Sequence, residues 1–417
     1  MTLKPKSKVF FKTFGCRTNI YDTEFMMGQL KEHEIADSEQ EADIVVVNSC
    51  TVTNGADSGV RNYISKQNRN GKKIIFAGCG AETKGVELFS QNRVFGVIGH
   101  KEKENINELL LYSFPFQKLG TLAHMSETVI KTYHNKCKAF IKIQEGCNFT
   151  CAYCIIPQVR GRSKSQNESS IIKEITNLTE QGYDEFILTG TNTGSYGREK
   201  GTNLGELLKK ISKIDGVKRI RLGSIEPVQI DESFREILKE SWFERHLHIA
   251  IQHTNENMLK LMRRRNNFKR DLALFQELSS LGFALGTDFI VGHPGESEEI
   301  WQDALTNFKK LSLTHLHVFC YSKRDGTISA SMKQNIDGNI AKSRLKELQN
   351  IVKENNFIFR QKKSSLEVLI EEKKGNFYTG FDQFYNRIFI NSGDNLIKKW
   401  IIINDYEVKK EGNYAAF

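Results

Sequence analysis

The stretch Cys147-Asn148-Phe149-Thr150-Cys151-Ala152-Tyr153-Cys154 decides how the rest of the chain is interpreted. It places three cysteines in the spacing C-x3-C-x2-C, which lets three thiolates in one loop face a single centre. Iron–sulfur clusters are held by cysteine thiolates, usually four of them. Because only three are local here, a cluster bound by this loop would keep one iron free for a substrate or a cofactor. Zinc is the alternative, and it would need a fourth ligand, for which Cys137 and His134 are the candidates.

Six strand-like runs alternate with helical patterns from just before this loop onward. The runs are Ala139 to Ile143, Phe186 to Thr189, Ile220 to Gly223, Leu247 to Ile251, Thr287 to Val291 and His315 to Phe319. Six β–α repeats in about 200 residues predict a barrel or partial barrel, whose chemistry lies at the carboxyl ends of its strands. The segments that follow the runs are polar or Gly-rich, and the cysteine loop follows the first of them. We therefore expect functional loops at that end.

Three further cysteines, Cys16, Cys50 and Cys79, each end a strand-like run near the amino terminus. Apolar runs alternating with helices at this spacing predict βαβ units with a parallel sheet. The carboxyl ends of parallel strands lie on one edge, where ligands bind, so these cysteines would converge in space. The alternative is three ordinary buried cysteines, a common place for this residue. Of the other two cysteines, Cys320 lies inside a strand-like run and is interpreted as packing, and Cys137 has no assigned role.

A third pattern begins at about residue 363, where short strand-like runs predict a small β-barrel. The runs are Leu366 to Ile370, Arg387 to Ile390 and Trp400 to Ile403. Basic and aromatic residues are interleaved between the first two, namely Lys373, Lys374, Phe377, Tyr378, Phe381, Phe384 and Tyr385, followed by Arg387. Cations that hold phosphate and rings that stack on bases suit nucleic acid. The alternative is that these rings fill the core of the barrel.

Composition and charge exclude several classes of protein and indicate one kind of partner. The 417 residues carry 60 Lys and Arg against 50 Asp and Glu, a net charge of +10. This length allows two or three domains, and a basic surface favours a polyanion such as RNA, although a compositional bias of the genome explains the charge equally well. The composition excludes collagen-like and mostly disordered classes, and no apolar run approaches the roughly 20 residues of a membrane helix. Without an amino-terminal apolar stretch we expect no signal peptide, no membrane partner and a cytoplasmic location, where cysteines are more often ligands than disulfides.

These patterns divide the chain into three α/β or β units and one connection. We expect an amino-terminal parallel α/β domain over residues 1–112, a linker over 113–132, a core with a partial (β/α)6 barrel over 133–362 and a small β-barrel over 363–417. The fold class is therefore α/β with a small all-β domain at the carboxyl terminus.

Two sets of residues resemble one known family. The triplet Cys147, Cys151 and Cys154, with Tyr153 before the last cysteine, is similar to the radical S-adenosylmethionine (SAM) signature. The earlier cysteines, in Gly15-Cys16-Arg17-Thr18-Asn19, Asn48-Ser49-Cys50-Thr51 and Ala77-Gly78-Cys79, resemble the amino-terminal domain of the methylthiotransferases. The likeness continues through Gln144-Glu145-Gly146-Cys147, Arg160-Gly161-Arg162, Ser224-Ile225-Glu226-Pro227, Asp288-Phe289-Ile290-Val291-Gly292 and Tyr321-Ser322-Lys323-Arg324, and so covers nearly the whole chain.

The resemblance implies a radical SAM enzyme that transfers sulfur. Cys147, Cys151 and Cys154 would hold a [4Fe-4S] cluster whose fourth iron binds SAM, and electron transfer would release a 5′-deoxyadenosyl radical. Tyr153 would lie near the adenine, and the residues that would contact SAM or orient the substrate are Thr189, Gly190, Glu226 and Asp288. Cys16, Cys50 and Cys79 would hold a second [4Fe-4S] cluster carrying the sulfur species that becomes a methylthio group. An external electron donor and a sulfur source are implied partners.

The resemblance also points to tRNA as the substrate. Gly15-Cys16-Arg17-Thr18-Asn19 looks nearest the branch that acts on N6-threonylcarbamoyladenosine beside the anticodon, rather than the isopentenyladenosine branch. Gln252-His253 instead resembles the branch that modifies an aspartate of a ribosomal protein, and the terminal barrel resembles an RNA-binding TRAM module loosely. The run Met262-Arg263-Arg264-Arg265 would contact phosphate or form the solvated end of a helix. A non-catalytic iron–sulfur or zinc protein that binds RNA is the remote alternative.

Overall fold

The structure is a computed structural model, and it describes residues 7–134, 137–333 and 336–416. The first six residues of the predicted amino-terminal domain, residues 135–136, residues 334–335 and the last residue of the predicted barrel lie outside the described residues.

The amino-terminal part is a six-stranded parallel sheet with helices on both faces. Its strands are β1 Lys8–Thr13, β2 Glu34–Ile35, β3 Ile44–Ser49, β4 Lys73–Gly78, β5 Gly96–Ile98 and β6 Phe116–Lys118, in the order β2-β1-β3-β4-β5-β6. Its helices are α1 Arg17–Gly28, α2 Asn54–Arg69, α3 Cys79–Ser90 and α4 Ile106–Leu110. All six residues of β3 are buried, since Val45 and Val47 join one apolar cluster and Ile44 and Val46 join the other. Burial on both faces explains the continuous apolar run in this strand.

The predicted linker over residues 113–132 is corrected at one place, because β6 lies inside it. Phe116 pairs with Gly96 of β5, and its ring packs edge-on against Phe95 with centroids 6.3 Å apart. The strand leaves almost no pattern in the sequence because only one of its three residues is buried.

The central part contains the six predicted strands side by side in chain order, with one short extra strand. The strands are β7 Ala139–Glu145, β8 Lys164–Ser165, β9 Glu185–Gly190, β10 Arg219–Leu222, β11 His246–His248, β12 Ala284–Val291 and β13 His315–Cys320. The helices are α5 Ile156–Arg160, α6 Glu168–Thr179, α7 Leu204–Ile211, α8 Glu232–Ile237, α9 Glu256–Leu261, α10 Phe268–Ser280, α11 Glu298–Lys309 and α12 Gly338–Gln361. Several helices begin at a side chain that accepts a backbone N–H, as Asn203, Asn267 and Ser297 do for α7, α10 and α11.

The six parallel strands form an open arc, which confirms the predicted partial barrel. β7, β9 and β10 pair in one sheet, with β8 antiparallel at its edge, and β11, β12 and β13 pair in a second. Isolated parallel bridges from Ile220 to Phe243 and from Ile225 to Ile249 connect β10 to the segment around β11. One apolar cluster backs both sheets, so they share a core. The barrel is open beyond β13, which is an edge strand.

The carboxyl-terminal part is a curled mixed sheet that forms half a barrel. Its strands are β14 Leu366–Lys374, β15 Phe377–Phe381, β16 Arg387–Asn391, β17 Trp400–Ile403, β18 Glu407–Val408 and β19 Asn413–Ala416, in the order β17-β14-β15-β16-β19-β18. It packs on the central part through buried polar contacts. The Arg221 guanidinium donates to the carbonyl of Asp382 at 2.7 Å, and the Trp400 indole donates to Asp184 at 2.5 Å.

The aromatic residues predicted as a nucleic-acid surface separate into two groups. Tyr378 belongs to the core of the terminal sheet, Phe384 packs against that core, and Phe381 stacks on Tyr385 at 4.7 Å, so these rings fill space as the alternative interpretation expected. Phe377 instead joins Phe389 and Tyr414 in a partly exposed ring cluster on β15, β16 and β19.

Among the helices of the described residues, none combines the length and apolar character that crossing a bilayer requires.

Candidate functional site

The loop after β7 is held in a fixed shape by glycine and by backbone hydrogen bonds. Gly146 has φ +72°, and a Cβ there would lie 2.1 Å from the carbonyl oxygen of Arg162, so only glycine fits. The N–H of Cys147 donates to the carbonyl of Gly161 at 3.0 Å, and that of Ala152 donates to Met262 at 2.9 Å. These bonds anchor both halves of the loop to other segments at the carboxyl end of the barrel.

Donors surround the sulfur atoms of this loop. The Asn192 amide and the Phe149 N–H each lie 3.4 Å from the Cys147 Sγ, and an Nη of Arg264 lies 3.6 Å from the Cys151 Sγ. Burial raises the pKa of Cys151, and it raises the pKa of Cys154 to about 12. Such thiols become thiolates when a cation binds them, so three free cysteines with nearby N–H donors fit an iron–sulfur cluster.

Arg264 is a residue of this site and not the phosphate contact that its position in a basic run suggested. Its side chain is 1% exposed, and its guanidinium donates to both carboxylate oxygens of Glu226 and to the carbonyl of Ala250. Burial raises the pKa of Glu226, although Arg264 opposes this rise. Arg265, the next residue, lies over the ring of Phe149 at 4.2 Å. Arg264 and Arg265 therefore both contact the loop that carries Cys147, Cys151 and Cys154.

The second cysteine set lies at the carboxyl ends of three neighbouring strands. Cys16 follows β1, Cys50 follows β3 and Cys79 follows β4, and these strands are adjacent in the order β1-β3-β4. Neighbouring strands lie about 4.8 Å apart, so the three residues converge as predicted. The chain order reverses between β1 and β3, and this crevice is where open α/β sheets bind ligands. Gly15, with φ +111°, lets Cys50 approach, since a Cβ there would lie 2.6 Å from the Cys50 Cβ.

The second set is also buried and faces a cation. Burial raises the pKa of Cys50 to about 12 and also raises that of Cys79. The Nε–H of Arg160 donates to the Cys79 Sγ at 3.1 Å, and its side chain is 2% exposed. Three free cysteines that converge on a ligand crevice beside a fixed guanidinium fit a second iron–sulfur cluster.

A buried polar network joins the two cysteine sets. Arg160 donates from Nη1 to both oxygens of Glu145, at 2.8 and 2.9 Å, and from Nη2 to Asp22 at 3.3 Å. Glu145 lies two residues before Cys147, and the Thr191 hydroxyl beside Asn192 donates to it at 2.9 Å. The network thus runs from the Cys79 sulfur to residues that contact the Cys147 sulfur.

Lysines complete this network. Lys103 donates to Asp22 at 2.6 Å, and Lys142 donates to Asp22 at 2.7 Å and to Glu145 at 3.2 Å. Burial alone would raise the pKa of both carboxyls, but Lys142 and Arg160 lower each pKa well below its usual range, and Lys103 also lowers that of Asp22. Burial lowers the pKa of His100 well below its usual value, so it is neutral. Three cations then face two carboxylates, and a thiolate at Cys79 would balance the charge.

The remaining predicted site residues also lie at or near strand ends. Thr189 is buried, with its hydroxyl 3.4 Å from that of Thr18, and Gly190 packs against the backbone of Gln144. Asp288, on β12, lies between two imidazoles, and Tyr153 packs against an apolar cluster that includes Ile290 of the same strand. Thr189 and Gly190 therefore lie between the two cysteine sets, and Asp288 lies close enough to Glu226 for its charge to help raise the pKa of that residue.

Neither candidate for a fourth zinc ligand is near the loop. Cys137 precedes β7 and Cys147 follows it, and a seven-residue strand is about 23 Å long. The Cys137 thiol donates to the carbonyl of Glu371 at 3.4 Å, and an imidazole nitrogen of His134 lies 3.3 Å from Glu24. The zinc alternative therefore loses both of its proposed ligands.

Arg160, Arg264 and Asn192 contact cysteine sulfur atoms, and the sequence assigned this role to none of them. Arg160 and Arg264 stand next to other arginines, in Arg160-Gly161-Arg162 and Arg263-Arg264-Arg265, and Asn192 stands in a polar loop. A buried arginine needs a partner from elsewhere in the chain, and sequence spacing does not reveal that partner.

Comparisons with known proteins agree with this geometry. Residues 8–99 match the Uncharacterized protein family UPF0004, and residues 141–306 match the Radical SAM superfamily. Over 416 residues, the chain is 46% identical to a protein of Helicobacter pylori strain J99 that carries the name methylthiotransferase, covering 98% of this chain and 100% of that one.

Relatives with a more specific name belong to two branches. The chain is 34% identical to the threonylcarbamoyladenosine tRNA methylthiotransferase MtaB of Bacillus subtilis, covering 94% of this chain and 92% of the relative. It is 32% identical to the tRNA-2-methylthio-N(6)-dimethylallyladenosine synthase of Fervidobacterium nodosum, covering 89% and 90%.

The fold is similar to that of the radical SAM methyltransferase TsrM from Kitasatospora setae, with a TM-score of 0.58 at 15% identity over 78% of this chain and 77% of that one. This likeness concerns the fold alone. The near full-length identity to the named relatives, together with both matched families, shows that the chain belongs to the radical SAM methylthiotransferases, a family of sulfur-transferring enzymes.

Proposed function

We propose that the protein adds a 2-methylthio group to N6-threonylcarbamoyladenosine next to the anticodon of tRNA. The observation that carries the proposal is the second cysteine set, which lies beside a ligand crevice. Arg160 joins this set to the loop that contains Cys147, Cys151 and Cys154. A radical SAM enzyme that only abstracts hydrogen needs one cluster, whereas sulfur insertion needs a place for the sulfur species. The names of the relatives, which include enzymes of threonylcarbamoyladenosine, support tRNA as the substrate.

The first cysteine set would bind one [4Fe-4S] cluster and leave one iron for SAM. When bound, these groups supply radical chemistry that removes a hydrogen atom from an unactivated carbon. Asn192 and Arg264 donate to sulfur atoms and would stabilise the thiolates, and Arg264 also fixes Glu226. In our proposal Tyr153 lies near the adenine of SAM. The residues that we propose to contact SAM or orient the substrate are Thr189, Gly190, Glu226 and Asp288.

Cys16, Cys50 and Cys79 would bind the second [4Fe-4S] cluster. Cys50 and Cys79 are buried whereas Cys16 is exposed, so this site is open on the Cys16 side. That opening would admit the sulfur species that the cluster holds. We infer that an external donor supplies electrons, that a separate source supplies sulfur, and that the reaction takes place in the cytoplasm, where tRNA is modified.

The ring cluster of Phe377, Phe389 and Tyr414 supports contact with RNA. Phe389 stacks on Tyr414 at 4.6 Å, and Phe377 meets both rings edge-on. Lys409 lies over the Tyr414 ring at 4.7 Å. Partly exposed rings with a cation beside them suit unstacked bases and the adjoining phosphates, and the net charge of +10 agrees with a polyanionic partner.

The alternatives differ in substrate. Methylthiolation of isopentenyladenosine is the nearest, since enzymes of that branch are also relatives. Modification of a ribosomal protein was motivated by Gln252-His253, but the His253 side chain is 0% exposed and lies 3.2 Å from Glu296, so it cannot touch a substrate. A non-catalytic iron–sulfur protein that binds RNA would give no SAM cleavage under reduction.

Nucleosides of tRNA from a strain that lacks the gene test the proposal. Mass spectrometry should show threonylcarbamoyladenosine without its methylthio group. The wild-type gene and a C320A control should restore it, while C16A, C50A and C79A should not. Cys320 is the matched control because it packs against the core outside both sets. Loss of methylthio-isopentenyladenosine instead, or a mass change confined to a ribosomal protein, would refute the proposed substrate.

A further inference from the structure

We propose that His317 and Phe319 on β13 form the subsite for the target nucleoside. Phe319 would lie against the base, and His317 would form a hydrogen bond with a polar N6 substituent. This inference rests on the proposed function and deepens it, because it names the class of substituent that the enzyme accepts. The chemical class is an adenosine whose N6 group carries hydrogen-bonding atoms, as opposed to an apolar prenyl group.

The placement follows from the alternation of side chains along β13. Leu316, Val318 and Cys320 pack against the main core, so His317 and Phe319 point to the opposite face, into the barrel. In the register with β12, His317 pairs with Asp288 and Phe319 pairs with Ile290. Ile290 belongs to an apolar cluster with Met258 and Met262, and Tyr153, which precedes Cys154, packs against this cluster. The two residues therefore lie on the inner wall close to the radical SAM loop.

Both side chains are exposed to solvent although they line the inner wall of the barrel. The His317 side chain is 61% exposed and Phe319 is 44% exposed, whereas His248 and Asp288 on the neighbouring strands are 7% and 18% exposed. β13 is the edge strand beside the opening of the barrel. An exposed aromatic ring and an exposed imidazole at such an opening suit a base that has been turned out of its stack.

The imidazole of His317 is held in one orientation. Its Nδ1 lies 3.3 Å from an oxygen of Asp288, the same oxygen lies 3.1 Å from Nε2 of His248, and the two rings stack at 4.4 Å. Burial alone would raise the pKa of Asp288, but the two histidines lower it well below its usual range, so it is a carboxylate. Nε2 of His317 lies at the other edge of the ring, and within the described parts of the chain it has no hydrogen bond.

A fixed imidazole discriminates between the two kinds of nucleoside. The threonylcarbamoyl group offers a carboxylate, a hydroxyl and ureido N–H groups, so it pairs with Nε2 in either protonation state of the ring. A prenyl group would cover Nε2 and leave it without a partner, and sites built to hydrogen-bond reject such analogues strongly. His317 is thus expected to contribute on the order of tenfold or more to the preference.

The test uses the reconstituted holoenzyme and three anticodon stem-loops, which carry threonylcarbamoyladenosine, isopentenyladenosine or plain adenosine. Binding and KM are measured for the wild type, H317L, H317Q and F319A, with H124L as a matched control. His124 pairs with Glu104 in the amino-terminal part. SAM cleavage without RNA reports whether the cluster is intact in each variant.

H317L should weaken binding of the threonylcarbamoyl stem-loop and raise its KM by about tenfold or more, without weakening the isopentenyl stem-loop. H317Q should retain most of the preference because an amide still hydrogen-bonds. F319A should weaken all three stem-loops similarly, by roughly tenfold, because stacking does not depend on the substituent. An unchanged ratio between the modified stem-loops in H317L would overturn this subsite while leaving the proposed function intact. A wild type that prefers the isopentenyl stem-loop would overturn both.

Discussion

Replacing Arg160 by methionine removes the group that joins the two cysteine sets. Arg160 is 2% exposed, its Nη1 donates to both oxygens of Glu145, and the guanidinium also reaches Asp22 and the Cys79 sulfur. In R160M, Lys103 and Lys142 alone compensate Asp22 and Glu145, and the Cys79 sulfur loses the guanidinium that donates to it.

The structure allows an estimate of the cost. Breaking a buried ion pair by removing one partner costs about 3–5 kcal/mol, because the other charge remains buried. With an m-value of about 3 kcal/mol/M, the urea midpoint of the transition that involves this network should fall by about 1 M or more. Because Cys79 loses its cation, we also expect R160M to bind about four irons where the wild type binds about eight.

Urea unfolding followed by circular dichroism, with iron and sulfide analysis after anaerobic reconstitution, measures both effects. R162M is the matched control, because Arg162 is exposed and belongs to the same Arg-Gly-Arg segment. The double variant R160M/E145Q should be less destabilised than the two single changes summed, since each removes the other's partner. The reasoning is wrong if R160M and R162M unfold at the same urea concentration and bind the same iron.

Three further predictions concern acid stability, alkaline stability and RNA binding. Burial alone would raise the pKa of Glu185, but Arg221 and Arg219 lower it from 4.5 to about 2. This shift corresponds to about 3 kcal/mol of stability, which is present above pH 4.5 and is lost as the pH falls through 2. E185Q should therefore be less stable at pH 7 and lose less on acidification, as urea midpoints at pH 7 and pH 3 would reveal, and equal losses on acidification would contradict this. Burial raises the pKa of Glu174 from 4.5 to about 8, so the wild type loses stability as the pH rises between these values. E174Q keeps a neutral side chain and should gain stability over the wild type between pH 6 and pH 9 in the same assay, whereas parallel curves would count against a buried neutral carboxyl. F389A should weaken binding of an anticodon stem-loop by about tenfold, measured by fluorescence anisotropy, through loss of one stacking ring. The control I402A changes a residue that is 65% exposed on β17, outside the ring cluster, and an equal loss in both variants would refute a specific stacking surface.

The parallel strands and their ends were predictable because a strand that is buried on both faces consists of consecutive apolar residues. Ile44–Ser49 shows this most clearly, and the cysteine that follows such a run falls at the ligand edge of the sheet. The partial barrel was predictable for the same reason, and the family comparison and the fold confirm it. β6 was not predicted because a three-residue strand with one buried residue has no hydrophobic period that the sequence could show.

Partners far apart in the chain were not predictable. Arg264 looked like part of a solvated basic run, yet its carboxylate partner Glu226 lies 38 residues earlier. Arg160 and Cys79 are 81 residues apart, and the hydrogen bond between them depends on how the first sheet docks on the barrel. His317 stood in a run identified only as a strand. Which face of an edge strand points into a barrel is decided by its pairing register, and composition does not reveal that register.

Iron and sulfide content after anaerobic reconstitution tests the central claim most directly. The account predicts about eight irons per chain for the wild type and about four for each variant in which one cysteine set is changed to alanine. A wild type that holds only about four irons, with none lost when Cys16, Cys50 and Cys79 are replaced together, would contradict it. The second cluster would then be absent, and the transfer of sulfur would have no site in this protein.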